Sequence, residues 1–284
     1  MLMKVGVFLA LEPYTSVEHN LKLAKEAGFT CADITDTHSG GSMFASAGLS
    51  ASISLDSNPF DVKRLFEKYG MEIMTISAHA SLLEASHPAE FQTREIMQAI
   101  RFAAAIGIRD VVTTETYPKS DWAKNLSYDQ CIFTCAEKLY QPCRMAEDYG
   151  VNIIFEPHGP ITDSISGIGD VMALLGYPKP LGVNMDTGNS WLGGTDPVEL
   201  ARTYKDKIYH IHWKDLGEEW VAKRGTIYGC GFSTIPVGAG KIDIAGVIEV
   251  LKDSDKIHYS TLEVAGPPEM LRQSADYVLN LWNA

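Results

Sequence analysis

The sequence predicts a (β/α)8 barrel, an α/β fold of the TIM-barrel class, occupying residues 1–284 as one domain. Three observations predict it. Short apolar, β-branched runs recur eight times along the chain. Amphipathic helical stretches alternate with them to the C-terminus. No glycine-rich phosphate loop follows the first run, as a doubly wound open sheet would favour.

The first run, Val5–Leu11, is too short to span a membrane and lacks the basic flank of a signal peptide, so it reads as a strand. The others lie near Cys31–Thr35, Glu72–Ala78, Asp110–Thr116, Val151–Pro157, Leu181–Asp186, Ile208–Lys214 and His258–Val264. Continuous hydrophobic runs suit strands buried on both faces, and parallel neighbours require crossover helices. Helical periodicity is clearest over Val17–Ala27, Phe91–Ile106, Ser127–Tyr149, Pro197–Tyr204, Ile244–Leu251 and Pro268–Leu281. Gly28, Gly70, Gly107 and Gly150 stand where a helix stops and a strand begins, the place for a left-handed cap.

Composition agrees with a well-filled core. Hydrophobic residues make up 45% of the chain and charged residues 21%, which does not indicate disorder. A net charge of −12 with no basic cluster argues against nucleic acid as a partner. Nothing in the chain reads as a membrane span. The five cysteines form no C-x-x-C pair, so the expected compartment is a reducing cytoplasm. The chain leaves room for a homo-oligomer or a hetero-complex.

Long connections follow the second run (Asp36–Pro59), the fourth (Tyr117–Leu126) and the seventh (Asp215–Lys241). In a barrel these border the C-terminal mouth, where active sites are built. Carboxylates and imidazoles recur at that level. The fifth run ends Phe155-Glu156-Pro157-His158, the sixth Met185-Asp186-Thr187-Gly188-Asn189, the seventh His210-Ile211-His212-Trp213-Lys214-Asp215, and the eighth Leu262-Glu263-Val264.

A carboxylate at the end of an apolar strand is costly to bury unless it is paired, protonated or bound to a cation. One acidic group alone more often caps a helix or pairs with a base. Four at matching positions on adjacent strands would converge. Glu156, Asp186, His212 and Glu263 form a mostly oxygen set with one nitrogen, suited to one divalent metal ion. Mn²⁺ is the expected ion; Mg²⁺, Co²⁺ and Zn²⁺ also fit. His210 and His212 face the same side by alternation, so one is a ligand and the other fills a layer or supports it.

These four motifs, in this order, resemble the xylose-isomerase-like barrel superfamily, which includes sugar isomerases, ketose epimerases and inosose dehydratases. The resemblance runs over essentially the whole chain. It implies that Glu156, Asp186, His212 and Glu263 coordinate the ion and that Glu156 and Glu263 also move protons. The superfamily's DNA-repair endonucleases carry a histidine three residues after the aspartate. Asn189 stands there instead.

The expected chemistry is proton abstraction beside a carbonyl, through an enediolate stabilised by the metal, in a small carbohydrate. This is an isomerase or epimerase. His79 and His158 are further candidates for proton transfer, since histidine titrates near neutrality. Glu115, Trp122, Asn189, Lys214 and Arg224 are candidates for substrate binding, although Glu115 has an alternative role as a cap and Lys214 one as an ion-pair partner. The runner-up is a lyase acting on a 3-keto sugar or glycoside, because Arg224 and Cys230-Gly231-Phe232-Ser233 resemble C-glycoside-cleaving members. A metal-dependent endonuclease and a non-catalytic barrel are the remaining alternatives.

Overall fold

The computed structural model describes residues 3–37, 51–83, 89–115 and 120–284. Strand β1 (Lys4–Phe8) leads through α1 (Val17–Glu26) to β2 (Cys31–Thr37) and the short β3 (Ile53–Ser54). Then follow α2 (Pro59–Tyr69), β4 (Glu72–Ser77), α3 (Ala89–Ile106), β5 (Asp110–Thr113), α4 (Asp121–Lys124) and α5 (Tyr128–Tyr149). The second half runs β6 (Asn152–Phe155), α6 (Ile165–Leu174), β7 (Leu181–Asp186), α7 (Thr187–Gly193), α8 (Pro197–Thr203), β8 (Ile208–Trp213), a 3₁₀ turn (Glu218–Lys223), α9 (Ile244–Leu251), β9 (Tyr259–Leu262) and α10 (Pro268–Trp282).

The sheet order is β1-β9-β8-β7-β6-β5-β4-β2, and β2 pairs with β1 to close it. All pairings are parallel, so this is the expected eight-stranded barrel. Two-residue β3 is additional and only pairs, in parallel, with the C-terminal end of β2. The central strands are apolar and buried, for example Val183, Met185, Ile211 and Ile153, each at 0% exposure. By alternation along their strands Val183, Met185 and Ile211 lie on the face opposite to Asp186 and His212, while the site-facing positions carry buried polar groups such as Asn184 and His210.

Several expected boundaries move by a few residues. β1 stops at Phe8 rather than Leu11, because the chain turns there and Ala10 N–H donates back to the Phe8 carbonyl (2.8 Å). β6 and β9 stop one residue before Glu156 and Glu263, so both carboxylates sit at the first position beyond the ladder. Gly70 (φ +65°) and Gly150 (φ +67°) close α2 and α5 in the left-handed conformation that the sequence reserves for them. Ser127 and Gln130 start α5 with a reciprocal capping box. Residues 38–50 and 116–119, parts of two loops expected at the mouth, lie outside the described residues. All five cysteines are free, and burial pushes the thiols of Cys31 and Cys143 up to about 12.

The long β8–α9 connection is held by Asp215. Its Oδ1 accepts from the backbone N–H of Leu216 (2.9 Å) and Ile242 (3.2 Å), and its Oδ2 from those of Gly238 (2.9 Å) and Gly240 (2.8 Å). Gly240 allows this approach, since a Cβ there would meet the Leu216 carbonyl oxygen at 2.5 Å. Asp215 is 1% exposed, so its removal strands several buried donors. Asp215→Ala is expected to cost about 1–3 kcal/mol, read as a lower urea midpoint at unchanged slope.

Candidate metal centre at the barrel mouth

Neighbouring strand ends bring four side chains to one point. Single ligand atoms from Glu156, Asp186, His212 and Glu263 all lie within 4.8 Å of one another, and all four residues are buried. His212 Nδ1 is 3.0 Å from Glu156 Oε1, 3.3 Å from Glu263 Oε1 and 4.0 Å from Asp186 Oδ2. Three carboxylates at such spacing repel one another in a medium that screens poorly, which favours a cation among them.

Asp186 divides its two oxygens between structure and site. Oδ1 accepts from Asn189 N–H (2.7 Å) and caps α7, a helix the sequence did not announce. Oδ2 is buried and points into the cluster's ion-pair network, with Lys214 Nζ 2.7 Å away. Lys214 Nζ also sits 2.5 Å from Glu263 Oε2. It therefore pairs with the cluster, while Asp215, its neighbour in sequence, turns to the loop. The donor types, the shared point and the Asp186 oxygen left over from capping α7 fit a divalent metal ion.

The electrostatics follow from burial and neighbours. Burial opposes ionisation of Glu156, but the imidazoles of His158 and His212 and hydrogen bonds from His212 and His79 hold its carboxyl well below the usual range. Burial pushes Asp186 up to about 7; Lys214 opposes this, and the carboxylates of Glu263 and Glu156 reinforce it. Burial alone would lower His212, yet the carboxylates of Glu263 and Glu156 and its bonds to Asp33 and Glu156 carry it well above its ordinary value. A metal ligand must shed its proton, so metal uptake is expected to release protons from Asp186 and His212. Both groups are raised, so affinity should climb as pH rises through about 7. Calorimetry in buffers of different ionisation enthalpy checks the proton count.

Beneath the cluster lies a polar layer that sequence reasoning did not assign. Asp33, 0% exposed on β2, places Oδ2 3.2 Å from His212 Nε2 and 3.3 Å from His210 Nε2, and the Thr261 hydroxyl donates to the same oxygen. Its Oδ1 accepts from Thr75 N–H (3.0 Å). A carboxylate against His212 Nε2 keeps a proton there, so that once the second proton has left, the Nδ1 lone pair faces the other three ligand atoms. The signal was present in Cys31-Ala32-Asp33-Ile34, an acid inside an apolar strand. His210 takes the supporting role, bonded to Thr261 Oγ1 (2.8 Å).

The remaining candidates are placed unevenly. His79 Nε2 is 2.8 Å from Glu156 Oε2, and His158 Nδ1 is 3.9 Å from Glu156 Oε1. Burial pushes His158 down to about 3, with Glu156 opposing and His79 and Lys214 reinforcing the fall. Asn189 bridges His158, Lys214 and Cys230. Glu115 Oε1 accepts from the N–H groups of Ile161 (2.7 Å) and Thr162 (2.9 Å), so this oxygen clamps the loop after β6. Arg224 donates to the Trp191 carbonyl (3.0 Å) and stacks 5.1 Å from the Trp191 ring, so its guanidinium is engaged at the end of α7. Trp122 is 50% exposed on α4. Phe8 meets His212 edge-to-face with ring centroids 6.1 Å apart and packs on Phe232 with centroids 5.6 Å apart, giving one side of the centre an apolar wall. Buried Asp163 was also not anticipated: among the described residues neither oxygen has a hydrogen-bond partner, and burial, with Glu115, Asp186 and Glu156, keeps its carboxyl well above the usual range.

A closed parallel barrel with this centre defines the class. The chain belongs to the xylose isomerase-like TIM barrel family, whose sequence profile matches residues 21–281. It is 26% identical to rhizopine catabolism protein MocC of Rhizobium meliloti, over 67% of this chain and 62% of that protein. It is 25% identical to an inosose dehydratase of Clostridium perfringens (strain ATCC 13124), over 84% of this chain and 87% of that enzyme. The match spans less than two thirds of the first of these. Among solved structures, an IOLI protein with a bound zinc atom aligns over 99% of this chain and 95% of its own at TM-score 0.69 and 15% identity. The 3-keto-D-glucoside 4-epimerase of E. coli aligns over 99% and 100% at TM-score 0.71 and 14% identity. At such identities the two structures speak for the fold. Among the described residues no helix is long and apolar enough to cross a membrane.

Proposed function

We propose that the chain is a divalent-metal-dependent enzyme that isomerises or epimerises a small carbohydrate by removing a proton next to a carbonyl. The observation that carries this reading is the four-donor set in which two members, Glu156 and Glu263, are carboxylates able to move protons as well as to ligate. Mn²⁺ is the proposed ion, and zinc, found in the IOLI neighbour, is the alternative. When bound, the ion supplies a Lewis acid that polarises the substrate carbonyl and steadies the charge developing on its oxygen.

The chain's own groups do the rest. Glu156 or Glu263 accepts the carbon-bound proton at a carboxylate oxygen. Lys214, its ammonium held between Asp186 and Glu263, offsets their negative charge and keeps an N–H donor at the site. The wall of Phe8 and Phe232 excludes water from one side, which strengthens every charge interaction there. Return of the proton to the opposite face gives epimerisation, and return to the adjacent carbon gives isomerisation.

Elimination is the second reading, because the same first step followed by loss of a β-substituent is a dehydration and a relative of this chain is named inosose dehydratase. One experiment separates them. Metal-loaded protein is incubated with ketoses, an inosose and a 3-keto-glycoside in deuterated water. Deuterium at the carbon beside the carbonyl in recovered sugar or its epimer supports the leading reading. Loss of water or release of the aglycone supports elimination. No exchange on any substrate overturns the shared first step.

A further inference from the structure

Asn189 joins three segments of the barrel mouth through one amide. Its Oδ1 accepts from Lys214 Nζ (3.2 Å), from the Cys230 backbone N–H (2.8 Å) and from the Cys230 thiol (3.1 Å). Its Nδ2 lies 3.2 Å from His158 Nε2. The orientation of the amide is fixed by chemistry: an ammonium and a backbone N–H can only donate, so both must meet the oxygen. Turning the amide over would set its NH₂ against two donors. Asn189 Nδ2 therefore donates, and His158 Nε2 must offer a lone pair.

The other end of the imidazole gives the same answer independently. Among the described residues the buried His158 Nδ1 has no hydrogen-bond partner, and it faces Glu156 Oε1 at 3.9 Å. A lone pair directed there would oppose a carboxylate; an N–H would be attracted to it. The ring has little freedom to escape this geometry. It meets the His79 ring edge-on at 5.3 Å and lies under Gly229, where a Cβ would come within 3.0 Å of His158 Cδ2. The His158 backbone N–H is in turn held by Thr162 Oγ1 (3.0 Å).

We infer that Asn189 is a positioning residue that locks His158 in the tautomer protonated at Nδ1, so that this imidazole turns an N–H and not a lone pair toward Glu156 and the reacting groups. The part that concerns the reacting groups rests on the function proposed above; the tautomer itself does not. It narrows the proton acceptors among the proposed catalytic residues to Glu156, Glu263 and His79. It also gives Asn189 a role directed at the Glu156 side of the site rather than at substrate recognition.

The test reads the tautomer directly. Protein labelled with ¹⁵N-histidine, metal-free and loaded with zinc as a diamagnetic probe, is examined by long-range ¹H–¹⁵N correlation, with His158→Gln used to assign the signal. The expected spectrum has a protonated Nδ1 and an unprotonated Nε2. Asn189→Asp keeps the shape but presents a carboxylate to Nε2, so the two nitrogen signals should exchange character, while the other seven of the eight histidines report whether the fold is intact. A wild-type spectrum with the proton on Nε2, or an Asp variant with an unchanged pattern, overturns the inference. If the variant does not fold, the wild-type spectrum decides alone. No substrate is needed, so failure of the deuterium-exchange assay would sink the proposed reaction and leave this result standing.

Discussion

Glu263→Gln is expected to lower turnover by about 10²–10⁴-fold, the range associated with loss of a positioned acid or base. Glu263 stands one residue past β9, with Oε1 3.3 Å from His212 Nδ1 and Oε2 2.5 Å from Lys214 Nζ. The amide keeps the volume but removes the charge that attracts a cation, and it cannot accept the carbon-bound proton. The variant should therefore lose both bound metal and deuterium exchange. Measuring kcat at saturating metal beside metal content by elemental analysis separates the two losses. Full metal content with normal turnover would exclude Glu263 from the site.

Asp33→Ala should give the largest loss of stability. Asp33 is buried at 0% exposure, and two imidazoles and a threonine hydroxyl converge on one of its oxygens. Burial would push its carboxyl up, but the facing His210 and His212 hold it well below the usual carboxylate range. Removing one member of such a network leaves its partners buried without their counter-charge, at a cost of about 3–5 kcal/mol. His212 would also lose the partner that fixes its tautomer, which costs about 10–100-fold in metal affinity for comparable supports. Urea titration reads the first effect and competition with a chelating dye reads the second. A melting point unchanged from wild type would show that the layer under the centre is not held by Asp33.

Much of this was legible in the chain. The eight apolar runs, their alternation with helices and the glycines at helix ends point to a barrel, because backbone hydrogen bonding and burial act locally and leave a periodic trace. The four strand-end motifs were legible for a related reason: an acid or imidazole directly after an apolar residue at the end of a strand-like run is conspicuous. Asp33 carried a weaker signal, and nothing local distinguished it from a strand-end cap. Glu115 and Arg224 read as substrate groups, yet one Glu115 oxygen bonds to the backbone after β6 and the Arg224 guanidinium to the end of α7. Long-range partners of that kind leave no periodicity.

By itself the sequence determined the barrel, its alternation of eight strands with helices and the residue types at its mouth, since these follow from hydrophobic period, turn chemistry and the cost of burying charge. Only the tertiary structure decided which way each polar group faces. Adjacent Lys214 and Asp215 part to opposite tasks, Asp186 splits its oxygens between a helix cap and the centre, and Asn189 turns its amide to His158. Those choices depend on donors and acceptors delivered by segments far apart in the chain, and they exist only once the barrel has closed.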